Sequence, residues 1–148
     1  MKLLLFLIII LLDKITKIVF KNKYYDLKLF SINYIENKGI AFGLFPNNTL
    51  FIIITSLIIL ILIYYLIKTK KHKLALTLLL AGSISNLTDR IIFGYIIDFI
   101  DFKIWPVFNI ADISNTIGVI LLLFPDIISY LKVKTKLFKL SKVKLIKR

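Results

Sequence analysis

The chain has 148 residues, 59% of them hydrophobic, and a mean hydropathy of +0.89, too apolar for an ordinary soluble domain and the right size for one compact unit. Its formal charge of +13 does not mark a nucleic-acid partner, because the lysines stand at the ends of apolar runs and not along a polar face. Cysteine is absent, which excludes disulfides, thiolate catalysis and most zinc sites; the single histidine, His72, lies in a KTKKHK loop, so neither a metal centre nor a histidine triad is expected.

Taken in chain order, the first apolar run covers about residues 2–20. It has the basic and apolar parts of a signal peptide but no small-residue cleavage site, so a retained helix is expected. Next comes YYDLKLFSINYIENKGIAFGLF, where apolar, aromatic and polar residues mix before a turn at Asn37 to Gly39. This reads as a small β element at the membrane surface. Residues 50–67 carry no charge over about 18 positions, close to the roughly 20 needed to cross a hydrocarbon core. Two further runs, at about residues 74–93 and 110–131, contain polar residues, which are costly inside a bilayer and normally have a task. The expected fold is an all-α membrane protein: one domain over residues 1–148, four transmembrane helices, a β element between the first two, and a basic tail over residues 132–148.

Charge sets the direction. Lys68, Lys70, Lys71 and Lys73 lie between the second and third runs, and the tail is lysine-rich, so both are cytoplasmic, as are both termini. The connection from Arg90 to Phe108 balances Arg90 and Lys103 with Asp98 and Asp101, and belongs outside. Trp105, Tyr24, Tyr25 and Tyr34 have the character of interface anchors, and the tail suits either topology or anionic lipid.

With about 1.5 Å of rise per residue, Asp89 lies about 24 Å above Lys73, Asp98 up to about 38 Å if that helix continues, and Asp112 about 30 Å above Lys132. All three carboxylates therefore collect near the outer face. Depth alone leaves open whether Asp89 or Asp98 meets Asp112. Asp89 stands beside Arg90 and suits a structural ion pair, whereas Asp98 lies in the apolar IIDFI and Asp112 follows FNIA. Two close carboxyl groups share one proton and can split an amide with water; acids in membranes also serve as proton relays or structural groups, and the residues alone leave these open.

The stretches DKITK (Asp13 to Lys17), NKGIAFG (Asn37 to Gly43), AGSISNLTDR (Ala81 to Arg90), IIDFI around Asp98, and FNIAD (Phe108 to Asp112) occur in this order. In this the chain resembles the lipoprotein signal peptidases, or signal peptidase II, over nearly its whole length. The resemblance implies a four-helix aspartyl protease of the bacterial cytoplasmic (inner) membrane, active as a monomer without cofactor near the outer leaflet. Its substrate would be a diacylglyceryl-modified prolipoprotein, cut just before the lipidated cysteine. It further implies Asp98 and Asp112 as the catalytic pair, Asn37, Gly82, Asn86, Arg90 and Asn109 as substrate-binding residues, and Asp13 as structural. Ser85 and Ala81 stand where the family usually has glycine, which touches packing and not the pair, and the Asp98 to Asp112 connection is short. For Asn86 and Asn109 the competing role is an interhelical hydrogen bond, and for Arg90 a contact to phosphate or Asp89.

Three other readings are weaker. A serine–lysine protease would need Ser83, Ser85 or Ser114 beside a neutral Lys14 or Lys17. A transporter subunit would run a relay through Asp89, Asp98 and Asp112. Asp101 rivals Asp98 for the pair, although an exposed loop acid is the simpler account; Asp126, after Pro125, is placed near the inner boundary, outside any site.

Overall fold

The structure, a computed structural model, describes residues 2–39 and 48–124. Four helices and three strands follow in the order α1 (Lys2–Val19), β1 (Tyr24–Asp26), β2 (Ser31–Asn37), α2 (Asn48–Lys68), α3 (Lys73–Phe93), β3 (Ile96–Asp101) and α4 (Ile110–Leu123). The basic tail, Asp126, the last part of the fourth apolar run and the end of NKGIAFG lie outside the described residues.

Among the described residues two helices are long and apolar enough to cross a membrane: Thr49–Lys68, with mean hydropathy 3.0, and Lys73–Phe93, with 1.2. At 1.5 Å per residue each reaches about 30 Å, matching a hydrocarbon core. Helix α1 is diluted by Lys2, Asp13, Lys14 and Lys17, and α4 has only 14 described residues.

Helix α3 is the hub. It packs against α1, α2 and α4, whereas α2 contacts only α3 among the described elements. The α2 contact is apolar, with Ile59 and Leu62 against Leu76, Leu79 and Leu80. Toward α4 the packing depends on missing side chains: a Cβ on Gly82 would collide with the Ala111 carbonyl and the Asn115 side chain, and one on Gly118 would meet Leu79 Cγ at 2.7 Å. Because lipid is as apolar as leucine, close backbone approach of this kind, not hydrophobicity, holds two such helices together.

Gly94 ends α3. Its φ of +80° is left-handed, a conformation glycine adopts without a Cβ penalty, and its N–H donates to Arg90 O at 3.1 Å. The chain then turns into β3, which completes an antiparallel sheet of order β1-β2-β3. The β element is thus larger than the sequence suggests, drawing its third strand from between α3 and α4. Asp98 lies on this strand and not on an extended third helix, so the 38 Å estimate does not apply.

Strand β3 is buried on both faces from Ile96 to Phe99, with the Phe99 ring tilted against that of Phe20, just after α1, at 5.1 Å between centroids. Phe108 bonds backbone to backbone with Ile100 in both directions, at 2.9 and 3.0 Å. That bridge delivers the start of α4 beside Asp98.

Candidate active site

Asn109 is the N-cap of α4, with extended backbone, and Asp112 is the third residue of its first turn. Asn109 Oδ1 accepts from Asp112 N at 2.9 Å, and Asp112 Oδ2 accepts from Asn109 N at 3.1 Å. This reciprocal capping box satisfies donors that a helix start leaves free, and it fixes the Asp112 side chain.

The same Asn109 reaches across to β3. Its Nδ2 donates to Asp98 Oδ1 at 2.7 Å, with longer contacts to Asn86 Oδ1 at 3.2 Å and Ile97 O at 3.3 Å. From the other side, Asn37 Nδ2 at the end of β2 donates to Asp98 Oδ2 at 2.8 Å. Asn86 Nδ2 on α3 donates to Asp112 Oδ1 at 2.8 Å. Four polypeptide elements thus place three asparagines around two carboxylates. Asp98 is 3% exposed. Burial pushes its carboxyl up to about 7; the neighbouring Asp112 adds to that rise, while the bonds from Asn37 and Asn109 and the charge of Lys17 oppose it.

Beneath the pair lies a second cluster, buried where α1 crosses α3. Lys17 Nζ donates to Asp13 Oδ2 at 2.7 Å, Asp89 Oδ2 at 2.6 Å and Asn86 Oδ1 at 3.0 Å. Lys14 pairs with Asp89 Oδ1 and donates to the Ser85 carbonyl at 2.9 Å. Asp13, fully buried, also accepts from Ser85 Oγ at 2.6 Å and from Ala111 N at 2.9 Å. This cluster holds two acids and two lysines, and Arg90 is a further cation whose charge is felt by Asp98 and Asp112.

The structure corrects several expectations. The cations beside Asp89 are Lys14 and Lys17, because residues adjacent in a helix do not share a face. Arg90 turns away and stacks over the Phe51 ring at 4.7 Å. Ser85 is more than a small packing residue, since its hydroxyl bonds Asp13. Gly82 lies against the Ala111 carbonyl and Asn115 of α4. Asp101 points to the opposite face of β3 from Asp98 and accepts from Asn33 Nδ2 at 3.1 Å; that bond and one from Lys103 N hold its carboxyl below the usual range. None of the three serines donates to a lysine: Ser83 faces Asn115, Ser85 Asp13 and Ser114 the Leu78 carbonyl. Lys17 Nζ donates to Asp13, Asp89 and Asn86 and not to a serine hydroxyl, so the geometry gives the serine–lysine reading no support.

Two cavities flank the carboxylates. One of about 230 Å³, between α2 and α3, is lined by Phe51, Thr55, Asn86, Arg90, Ile96 and Asn115. The other, about 300 Å³, is bordered by Trp105, Phe108, Asp112, Ile113, Thr116 and Ile117.

Residues 5–128 match the sequence profile of signal peptidase (SPase) II. The chain belongs to the signal peptidase II family. It is 41% identical to the lipoprotein signal peptidase of Halothermothrix orenii over 128 residues, covering 79% of this chain and 88% of that one. With the lipoprotein signal peptidase of Caldanaerobacter subterraneus subsp. tengcongensis it shares 45% identity over 98 residues, 63% and 68% of the two chains. Its fold is similar to that of a bacterial membrane enzyme solved by the in meso method, with a TM-score of 0.75 at 33% identity over 91% of this chain and 90% of the other. Membership of this family makes the chain a membrane-embedded protease.

Proposed function

We propose that this signal peptidase II family member is an aspartic endopeptidase that removes signal peptides from diacylglyceryl-modified prolipoproteins, with Asp98 and Asp112 as the catalytic pair. One observation supports it above the rest: the Asn109 side chain bonds both Asp98 Oδ1 and the backbone of Asp112, drawing two carboxylates from different elements into one network. The pair shares one proton. Its ionised member takes a proton from water as the water oxygen bonds to the scissile carbonyl carbon, and the protonated partner gives its hydrogen to the carbonyl oxygen. Collapse of that tetrahedral species, with proton return to the leaving nitrogen, frees the lipidated cysteine. A carboxyl near 7 at Asp98 keeps the shared proton in place up to about neutral pH.

Asn37, Asn86 and Asn109 hold the carboxylates and offer amides to the substrate backbone, Arg90 faces the α2–α3 cavity, and Gly82 acts by letting α4 close on α3. The four helices are read as four crossings of the bacterial cytoplasmic membrane with both termini inside, in one domain working as a monomer without cofactor. The sheet then lies over the outer leaflet, where a lipid-linked substrate arrives sideways between helices.

The test is cleavage of a diacylglyceryl-modified precursor by detergent-solubilised protein. Asp98→Asn and Asp112→Asn should each lower kcat by about 10²–10⁴-fold. Wild-type turnover by either variant would refute the pair. The relay reading instead requires proton flux in liposomes without proteolysis.

A further inference from the structure

The buried cluster under the carboxylates contains one contact that a purely structural ion pair does not need. Lys17, 2% exposed, already satisfies two carboxylates, yet its third donor goes to Asn86 Oδ1 at 3.0 Å. Asn86 is the residue whose Nδ2 holds Asp112 Oδ1 at 2.8 Å. We propose that Lys17 is a positioning residue: its ammonium fixes the orientation of the Asn86 amide, so that Asn86 presents N–H and not C=O to Asp112. The inference deepens the aspartic-protease reading and rests on it.

The reasoning is one of donor and acceptor count. A lysine ammonium has three donors and no acceptor. Rotating the Asn86 amide by half a turn would set its NH₂ against Lys17 Nζ and against Asn109 Nδ2, both donors, and would set its carbonyl oxygen against the Asp112 carboxylate. Three contacts would become repulsive at once in a water-poor interior, where unmatched polar groups are costly. Of the two groups that enforce the orientation, Asn109 is itself held by the pair it serves. Lys17 is anchored independently, by Asp13 on its own helix and Asp89 on α3, and so supplies the fixed end of the chain Lys17, Asn86, Asp112. The charged groups around it are Asp13 and Lys14 on α1, Asp89 and Arg90 on α3, Asp98 on β3 and Asp112 on α4.

Removing Lys17 alone would take from the buried Asp13 the cation that pairs with it, while Asp89 keeps Lys14, so the test uses a charge-balanced variant. In Asp13→Asn/Lys17→Met, Asp89 keeps Lys14, and residue 13 can still accept from Ala111 N and donate to Ser85 Oγ. The comparison is with Asp13→Asn alone, both confirmed as folded by a cooperative thermal transition in detergent. Relative to that single variant, kcat should fall about 10²-fold with KM little changed, the cost of a reacting group no longer held in register. The alkaline limb of the kcat profile, expected near pH 7 in the wild type, should move upward, because the cation that favours ionised Asp98 is gone. In an Asn86→Ala background the same lysine change should add nothing. Equal kcat and equal limb for the two variants would overturn the role of Lys17, as would full additivity with Asn86→Ala. Should the double variant fail to fold, Lys17→Gln keeps an N–H donor without charge, and an unmoved limb in it would also overturn the proposal. If Asp98→Asn or Asp112→Asn cleaves normally, the protease reading itself has failed; if both are inactive and Lys17 proves neutral, only this inference has.

Discussion

Helices α2 and α3 have the same length, 21 residues, and opposite characters. Helix α2 has the higher mean hydropathy, 3.0, yet almost none of it is buried against protein; α3, at 1.2, has more than half its apolar window buried. In lipid an apolar side chain gains little by touching protein, so the more apolar helix can leave its flanks uncovered. The helix with Ser85, Asn86, Asp89 and Arg90 turns those groups inward, because only other polar groups can satisfy them there. Hydropathy therefore ranks these helices in inverse order of what they contribute to the site.

Substitutions can sharpen that contrast. The largest effect is expected from Asp89→Asn on α3, which takes a carboxylate from both Lys14 and the buried Lys17. A loss of about 3–5 kcal/mol is expected, measurable as a lower unfolding midpoint in detergent; an unchanged midpoint would show the cluster to be dispensable. Next comes Gly82→Val, where the added side chain must push against Ala111 and Asn115 of α4. About 1–3 kcal/mol of destabilisation is expected from such overpacking, with cleavage falling in parallel as α4 carries Asp112 away from α3. The smallest is Leu60→Ala on α2, a side chain 62% exposed. Its stability and turnover should stay within about 0.5 kcal/mol of wild type. A large loss there would mean that α2 has a protein contact beyond α3, and the contrast between the two helices would break.

The sequence makes the helices visible because their signal is length and apolarity, which need no knowledge of neighbours. Strand β3 is harder to see: with Ile96 to Phe99 buried on both faces, it shows no alternation, and a short apolar run after a helix looks like more helix. Gly94 was the available stop signal. The capping box was also within reach, since an asparagine three residues before an aspartate, ahead of an apolar run, is a helix-start pattern. What sequence could not supply was the partner of Asp89. Arg90 is adjacent in the chain, but Lys14 and Lys17 reach Asp89 only because α1 crosses α3 at that level. The same holds for Ser85, whose hydroxyl has a use only once Asp13 stands opposite.

The bond from Ala111 N to Asp13 joins positions 98 residues apart, α1 to α4. During synthesis, a nascent chain that has reached Asp98 still lacks Asn109, Asp112 and the helix start that Asp13 secures. On the proposed catalytic pair, hydrolysis has to wait until α4 stands beside α1.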